Sequence, residues 1–279
     1  MSTDFLSGMA ASSQARVETA RRLQGDRELW HRAEASPPPP PLWLSPQRFD
    51  VIAEVKLRSP AVGVLRDGGD EDIEARVSSY AAAGAAAVSV LTEPDRFEGS
   101  LDHLEQAARA LATAGRVPAM RKDFLVDPYQ VAEARLAGAG GVLVIVRMLE
   151  RGALDALIEA ARRLGLFVLI EAFDAADIEI ARALLDRHGN RGSPLLIGIN
   201  SRDLVTLKVV PGRLEEMVEQ LPADAPRVAE SGVGSEADAA RLARAGYDLA
   251  LVGSALMSAP DPAALARDML AAGRGIRAA

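Results

Sequence analysis

The sequence predicts a (β/α)8 barrel with an additional N-terminal helical arm, and three observations predict it. Eight short apolar runs recur between residues 51 and 253: VIAEVK, AAVSVL, VPAMRK, GVLVIV, LFVLIE, LLIGIN, PRVAE and LALVG. Each run gives way to turn residues and then to a longer stretch of helical period. The repeats occupy about 230 of the 279 residues, close to the ~250 typical of this barrel. An open, doubly wound sheet is the competing arrangement. Its nucleotide-binding form carries G-x-G-x-x-G after the first strand, whereas here that strand runs into KLRSP.

Taken in order, residues 4–29 read as one amphipathic helix carrying Phe5, Leu6, Met9, Val17 and Leu23, and Pro37 to Pro41 read as an extended polyproline connector. This gives an arm over 1–48 and a barrel domain over 49–279. Leu101, Leu104, Ala108 and Leu111 share a helix face that stops at Gly115, a residue suited to a C-terminal cap. Asp127-Pro128 and Asp261-Pro262 each place a capping acid before a proline at the first helical position.

Composition narrows the function. A net charge of -7 and a pI near 5.2 argue against a nucleic-acid partner. The absence of cysteine excludes disulfides, thiolate metal sites and thiol nucleophiles. The start lacks the basic flank and apolar core of a signal peptide, and no apolar stretch reaches membrane length, so no membrane partner and a cytoplasmic setting are expected.

In such barrels the chemistry sits where the strands end. The polar residues there are Glu54 and Lys56, Arg121 and Lys122, Glu171, Asn200 with Arg202, and Glu230-Ser231, which reads as a polar ring. Glu54 and Lys56 are two apart and face one side; a capping ion pair and a functional pair both fit. Lys122 in RKDF reads as a solvated turn or as a catalytic group. Glu171 directly follows a run of five apolar residues, where a carboxylate must be paired or have its pKa raised. Asn200 fits a turn, but Arg202 suits bidentate binding of a carboxylate, which suggests an acidic substrate. Gly232, and Gly253 with Ser254, lie in the turns after the last two strands, where such barrels often bind phosphate. His31, His103 and His188 fall in the arm or in predicted helices, so neither a metal triad nor a histidine base is expected.

The stretches IAEVKLRSPA, SVLTEPDRFEGS, RKDFLVDPYQ, EARLAGAGGVLVIV, LIGINSRDL, VAESGV and LVGSALM, in this order, resemble the indole-3-glycerol phosphate synthase family over about residues 50–260. The resemblance implies decarboxylative, dehydrative ring closure of 1-(2-carboxyphenylamino)-1-deoxyribulose 5-phosphate without a cofactor or metal. It makes Lys122 the general acid and Glu171 the general base. Lys56 would contact the substrate carboxylate and take part in proton transfer, with Glu54 and Asn200 positioning the catalytic groups. Ser59, Arg202, Glu230 and Ser231 match binding positions. Phe97, Phe124, Leu143 and Ile145 match the pocket for the aromatic ring, and Ser231, Gly232, Gly253 and Ser254 match the phosphate end. A small phosphorylated substrate and transient contact with other tryptophan-pathway enzymes are the partners it implies.

The chain departs from the family pattern at Leu57, where a polar or basic residue is common, at Ala61, where serine is usual, and at Phe173, commonly polar. Phosphoribosylanthranilate isomerase, the neighbouring barrel, relies on a cysteine base that is missing here, and 279 residues hold one set of eight repeats rather than the two of a fusion. The remaining alternative is a noncatalytic or specialised paralogue that binds a phosphorylated carboxylate. Retention of Lys56, Lys122 and Glu171 argues against it.

Overall fold

The computed structural model describes residues 2–47, 49–61, 63–65, 71–115, 117–189 and 192–278, with side chains from Phe5 to Arg277 among them. Eight parallel strands close on themselves: β1 (Asp50–Val55), β2 (Ala87–Leu91), β3 (Ala119–Lys122), β4 (Gly141–Ile145), β5 (Phe167–Ala172), β6 (Leu195–Asn200), β7 (Arg227–Glu230) and β8 (Leu249–Val252). Closure is made by β1, which pairs Ile52 with Ala87 of β2 and Ile52 with Leu251 of β8. All eight apolar runs are therefore strands.

Alternation along each strand divides the apolar residues into two clusters. Ile52, Ala87, Met120, Leu143, Leu169, Leu196, Val228 and Leu251 fill the barrel. Val51, Val88, Val142, Val168, Ile197 and Ala250 face outward and pack beneath the helices. The helix signals hold as well. The helix Leu101–Ala114 ends at Gly115 with φ 147°, and Asp127 caps Pro128–Leu136 by accepting from the Tyr129 amide at 2.8 Å while Gln130 completes a capping box. Asp261 accepts from the Ala264 amide at 2.9 Å at the head of Pro262–Ala278.

The arm differs from expectation. It is two helices, α1 (Ser2–Leu23) and α2 (Asp26–Ala35), separated at Gly25, whose ψ of 153° is extended. Leu23, expected on the apolar face, is 87 % exposed at the end of α1. Leu29 and Ala33 of α2 are buried instead. Glycine is a poor helix former, so the chain bends there at little cost and each helix finds its own surface on the barrel. The connector that follows is held by Arg135, which donates to the carbonyls of Ser36 and Pro37 at 2.8 Å each.

Candidate active site

The inward positions of the strands, continued by two residues, carry polar groups into a cavity of about 580 Å³ at the C-terminal end of the barrel. Ile52 leads to Glu54 and then Lys56, Met120 to Lys122, Leu169 to Glu171, Leu196 to Asn200 by way of Gly198, and Val228 to Glu230. The residues that the family resemblance assigns to the site all line this one cavity: Glu54, Lys56, Ser59, Phe97, Lys122, Phe124, Leu143, Ile145, Glu171, Asn200, Arg202, Glu230, Ser231, Gly232, Gly253 and Ser254.

Its charges are organised as two groups. The Lys56 ammonium lies 2.6 Å from Glu54. The Lys122 ammonium lies 3.1 Å from Glu171 and 3.5 Å from Glu230. Burial alone would lower the Lys122 pKa, but the acidic groups around it, Glu171 foremost, outweigh it and hold the lysine well above its ordinary value. Burial, followed by repulsion from Glu171, pushes Glu230 well above the ordinary glutamate value against the pull of Lys122. Arg202 makes no ion pair among the described residues and donates to the Leu207 carbonyl at 2.5 Å. Burial lowers its pKa, with Glu54 opposing. A desolvated guanidinium without a carboxylate partner is suited to receive one from a ligand.

The opposite wall is apolar. Phe5, Phe97 and Phe124 form a tilted and edge-on aromatic set with centroids 6.0 and 6.2 Å apart, continued by Leu6, Leu143, Ile145 and Phe173. At the far end Ser231 and Gly232 have φ values of 68° and 73°. A Cβ on Gly232 would approach Val209 Cγ1 to 2.8 Å, so both conformation and space call for glycine there. Gly253 serves a different purpose as well. A Cβ at that position would collide with Glu54 Oε1, so the Glu54–Lys56 pair rests directly on its backbone. No group of three or more metal-ligating side chains occurs among the described residues.

A sequence model described as "Indole-3-glycerol phosphate synthase" matches residues 8–269. The chain belongs to this family. Relatives of that name include one from Mycolicibacterium smegmatis, 40 % identical over 88 % of this chain and 86 % of its own, and one from Kineococcus radiotolerans, 44 % identical over 80 % and 76 %. Among solved structures, 3-hexulose-6-phosphate synthase from Salmonella typhimurium superposes with a TM-score of 0.61 at 14 % identity, covering 81 % of this chain and 99 % of its own. Thiamine phosphate pyrophosphorylase from Pyrococcus furiosus gives 0.57 at 16 %, covering 82 % and 96 %. At such identities they share the barrel alone.

The cavity corrects one expectation and adds residues to another. Arg121, placed in the polar ring by the sequence, points away from the cavity: its guanidinium is buried beneath the helix Pro128–Leu136, on the Gln130 carbonyl at 2.8 Å and Glu133 at 3.1 Å. Strand alternation requires this, because its neighbour Lys122 points in. Of the departures, Leu57 is buried in the outer core and leaves the cavity untouched. Ala61 lines the cavity, and Phe173 is a wall residue fixed by the Arg147 guanidinium 4.6 Å above its ring. Sequence reading missed Phe5 and Leu6 as cavity residues, because nothing local says where an arm will dock. It also missed Leu204, Leu207 and Val209 of the loop after β6, whose apolar character was the available signal.

Proposed function

We propose that the chain converts 1-(2-carboxyphenylamino)-1-deoxyribulose 5-phosphate to indole-3-glycerol phosphate, releasing carbon dioxide and water, as a carboxy-lyase of tryptophan biosynthesis. The observation that carries the reading is the Lys122 ammonium set between Glu171 and Glu230 at the junction of a charged floor and an aromatic wall. The aromatic ring lies against Phe97, Phe124, Leu143 and Ile145, with its carboxylate toward Lys56 and Arg202. The phosphate takes the end formed by Ser231, Gly232, Gly253 and Ser254, and Ser59 completes the rim. Glu54 and Asn200 hold Lys56 and the Arg202 backbone: Asn200 Oδ1 accepts from the Arg202 amide at 2.9 Å.

In the ring closure, the ring carbon bearing the carboxylate attacks the ketone carbon while Lys122 protonates the ketone oxygen. Carbon dioxide departs and its bonding electrons restore the aromatic ring. Dehydration then expels the new hydroxyl as water, and Glu171 removes the adjacent C–H proton to complete the indole. Lysine must enter protonated and glutamate ionised, which the raised Lys122 pKa favours. Enclosure in a largely apolar cavity strengthens both electrostatic effects. A cytoplasmic setting and transient contact with neighbouring pathway enzymes suit an enzyme handling small phosphorylated intermediates.

The test is the appearance of indole fluorescence when purified protein is given the carboxyphenylamino deoxyribulose phosphate. Turnover should fall by ~10²–10⁴-fold in Lys122→Ala, the usual contribution of a placed proton donor. Tight substrate binding without any turnover by the wild-type protein would favour a noncatalytic paralogue.

A further inference from the structure

Of the three glutamates that line the cavity, Glu54, Glu171 and Glu230, the reaction above leaves only Glu230 without a task. It is 1 % exposed, and neither of its oxygens accepts a hydrogen bond among the described residues. Its nearest cation, Lys122 at 3.5 Å, is closer to Glu171. The route by which Glu230 reaches that pair is specific. Strand β6 lies between β5 and β7, and at the position opposite Glu171 it has Gly198. A Cβ there would collide with Glu230 Oε1, so the Glu230 carboxyl occupies the space of the missing side chain and leans across β6 toward Glu171. The groups facing it are Lys122 from β3, Glu171 from β5 and Glu54 from β1; β6 adds Gly198 and neutral Asn200, and the β8 register partner is apolar Leu251. Two carboxylates thus crowd one ammonium, a geometry in which like charge keeps one of them protonated.

We propose that Glu230 rests in the site as a neutral carboxylic acid, donating a hydrogen bond to the Glu171 carboxylate, and serves as the proton reserve that restores the Lys122 ammonium within a turnover. The direction of its pKa agrees with this. The proposal rests on the synthase reading, and the protons balance. Lys122 gives one proton to the ketone oxygen and regains one from Glu230 across 3.5 Å. Glu171 later collects the C–H proton and passes it to Glu230, so the three residues end as they began. The second proton, needed by the departing hydroxyl, comes from solvent, which matches the single proton consumed when an aryl carboxylate leaves as carbon dioxide.

The experiment is infrared difference spectroscopy of the ligand-free protein with isotope-labelled glutamate near neutral pH. A carbonyl band of a protonated carboxyl is expected in the wild type and lost in Glu230→Gln. Absence of the band from the wild type, or its survival in the variant, overturns the proposal. Should Glu230→Gln fail to fold, Glu171→Gln decides: with the like charge removed, the band should titrate away at lower pH than in the wild type, and an unmoved midpoint overturns the coupling. Neither spectrum requires turnover, so failure of the synthase reading in the fluorescence assay remains distinguishable. With turnover in hand, kcat should fall in Glu230→Gln, and an unchanged kcat overturns the reserve.

Discussion

Asp123 follows Lys122 directly and carries the opposite perturbation to Glu230. It accepts two hydrogen bonds from Arg16 of the arm, at 2.7 and 2.9 Å, one from Arg121 at 3.0 Å and one from Thr92 at 2.8 Å. Burial would raise its pKa, but these donors outweigh it and hold the carboxyl far below the ordinary aspartate range. The two acids therefore tilt stability in opposite directions. A carboxyl depressed by folding stabilises above its unfolded pKa of ~3.9, and that stability disappears as pH falls toward the folded value. A carboxyl raised by folding stabilises most below its unfolded pKa of ~4.3, and the contribution is lost as pH climbs through the folded value. Melting temperature against pH should thus lose its steep acid side in Asp123→Asn and part of its alkaline decline in Glu230→Gln. Asp123→Ala, which leaves the buried Arg121 and the half-buried Arg16 facing a vacancy, should cost ~3–5 kcal/mol in denaturant titration. The base is tested by shape: Glu171→Gln should abolish turnover while substrate affinity by calorimetry stays within a few-fold, because charge is lost and volume kept.

At the scale of the element, the strand is the unit that turns sequence into site. Period-two alternation makes Glu54 with Lys56, Lys122, Glu171, Asn200 and Glu230 share an interior, and it was readable because each follows an apolar run whose inward members alternate in step. The same rule sends Arg121 outward. The error about Arg121 came from counting charged residues at a strand end without asking which face each occupies. Gly198 was not legible at all. Within LLIGIN it reads as one more small residue, and its meaning depends on a side chain of the next strand. Gly198→Ala should therefore separate activity from stability. The added methyl displaces the end of the flexible Glu230 side chain, so thermal midpoint should change little while kcat falls; an unchanged kcat would show that the lean of Glu230 across β6 is dispensable. Gly141→Ala gives the contrast, since its Cβ would strike the Phe167 ring inside the barrel and the overpacking should cost ~1–3 kcal/mol in stability.

Over the whole molecule, the barrel was legible because its period is built into every repeat, whereas the position of the arm depends on contacts separated by more than a hundred residues. Arg16 reaches Asp123 over a separation of 107 residues, and Ser13 receives a hydrogen bond from Gln130 over 117. Those partners are ordinary polar residues in any linear reading. Docking them brings Phe5 edge-on to Phe124 at the cavity rim. Phe5→Ala should raise KM by roughly fivefold or more with kcat little changed, the equivalent of losing about 1 kcal/mol of apolar contact.

The division between arm and barrel has a consequence for how the protein reports on itself. Its only two tryptophans are Trp30 and Trp43, one on α2 beneath the Arg163 guanidinium at 4.7 Å and one, 76 % exposed, after the proline run. The eight-stranded body contains none. Tryptophan emission, commonly read as a gauge of global folding, is here a gauge of whether the arm is seated. An emission change that precedes the loss of far-ultraviolet ellipticity during a urea titration would be the signature of an arm lifting from an intact barrel, and would mark the concentration at which the rim of the cavity is already gone.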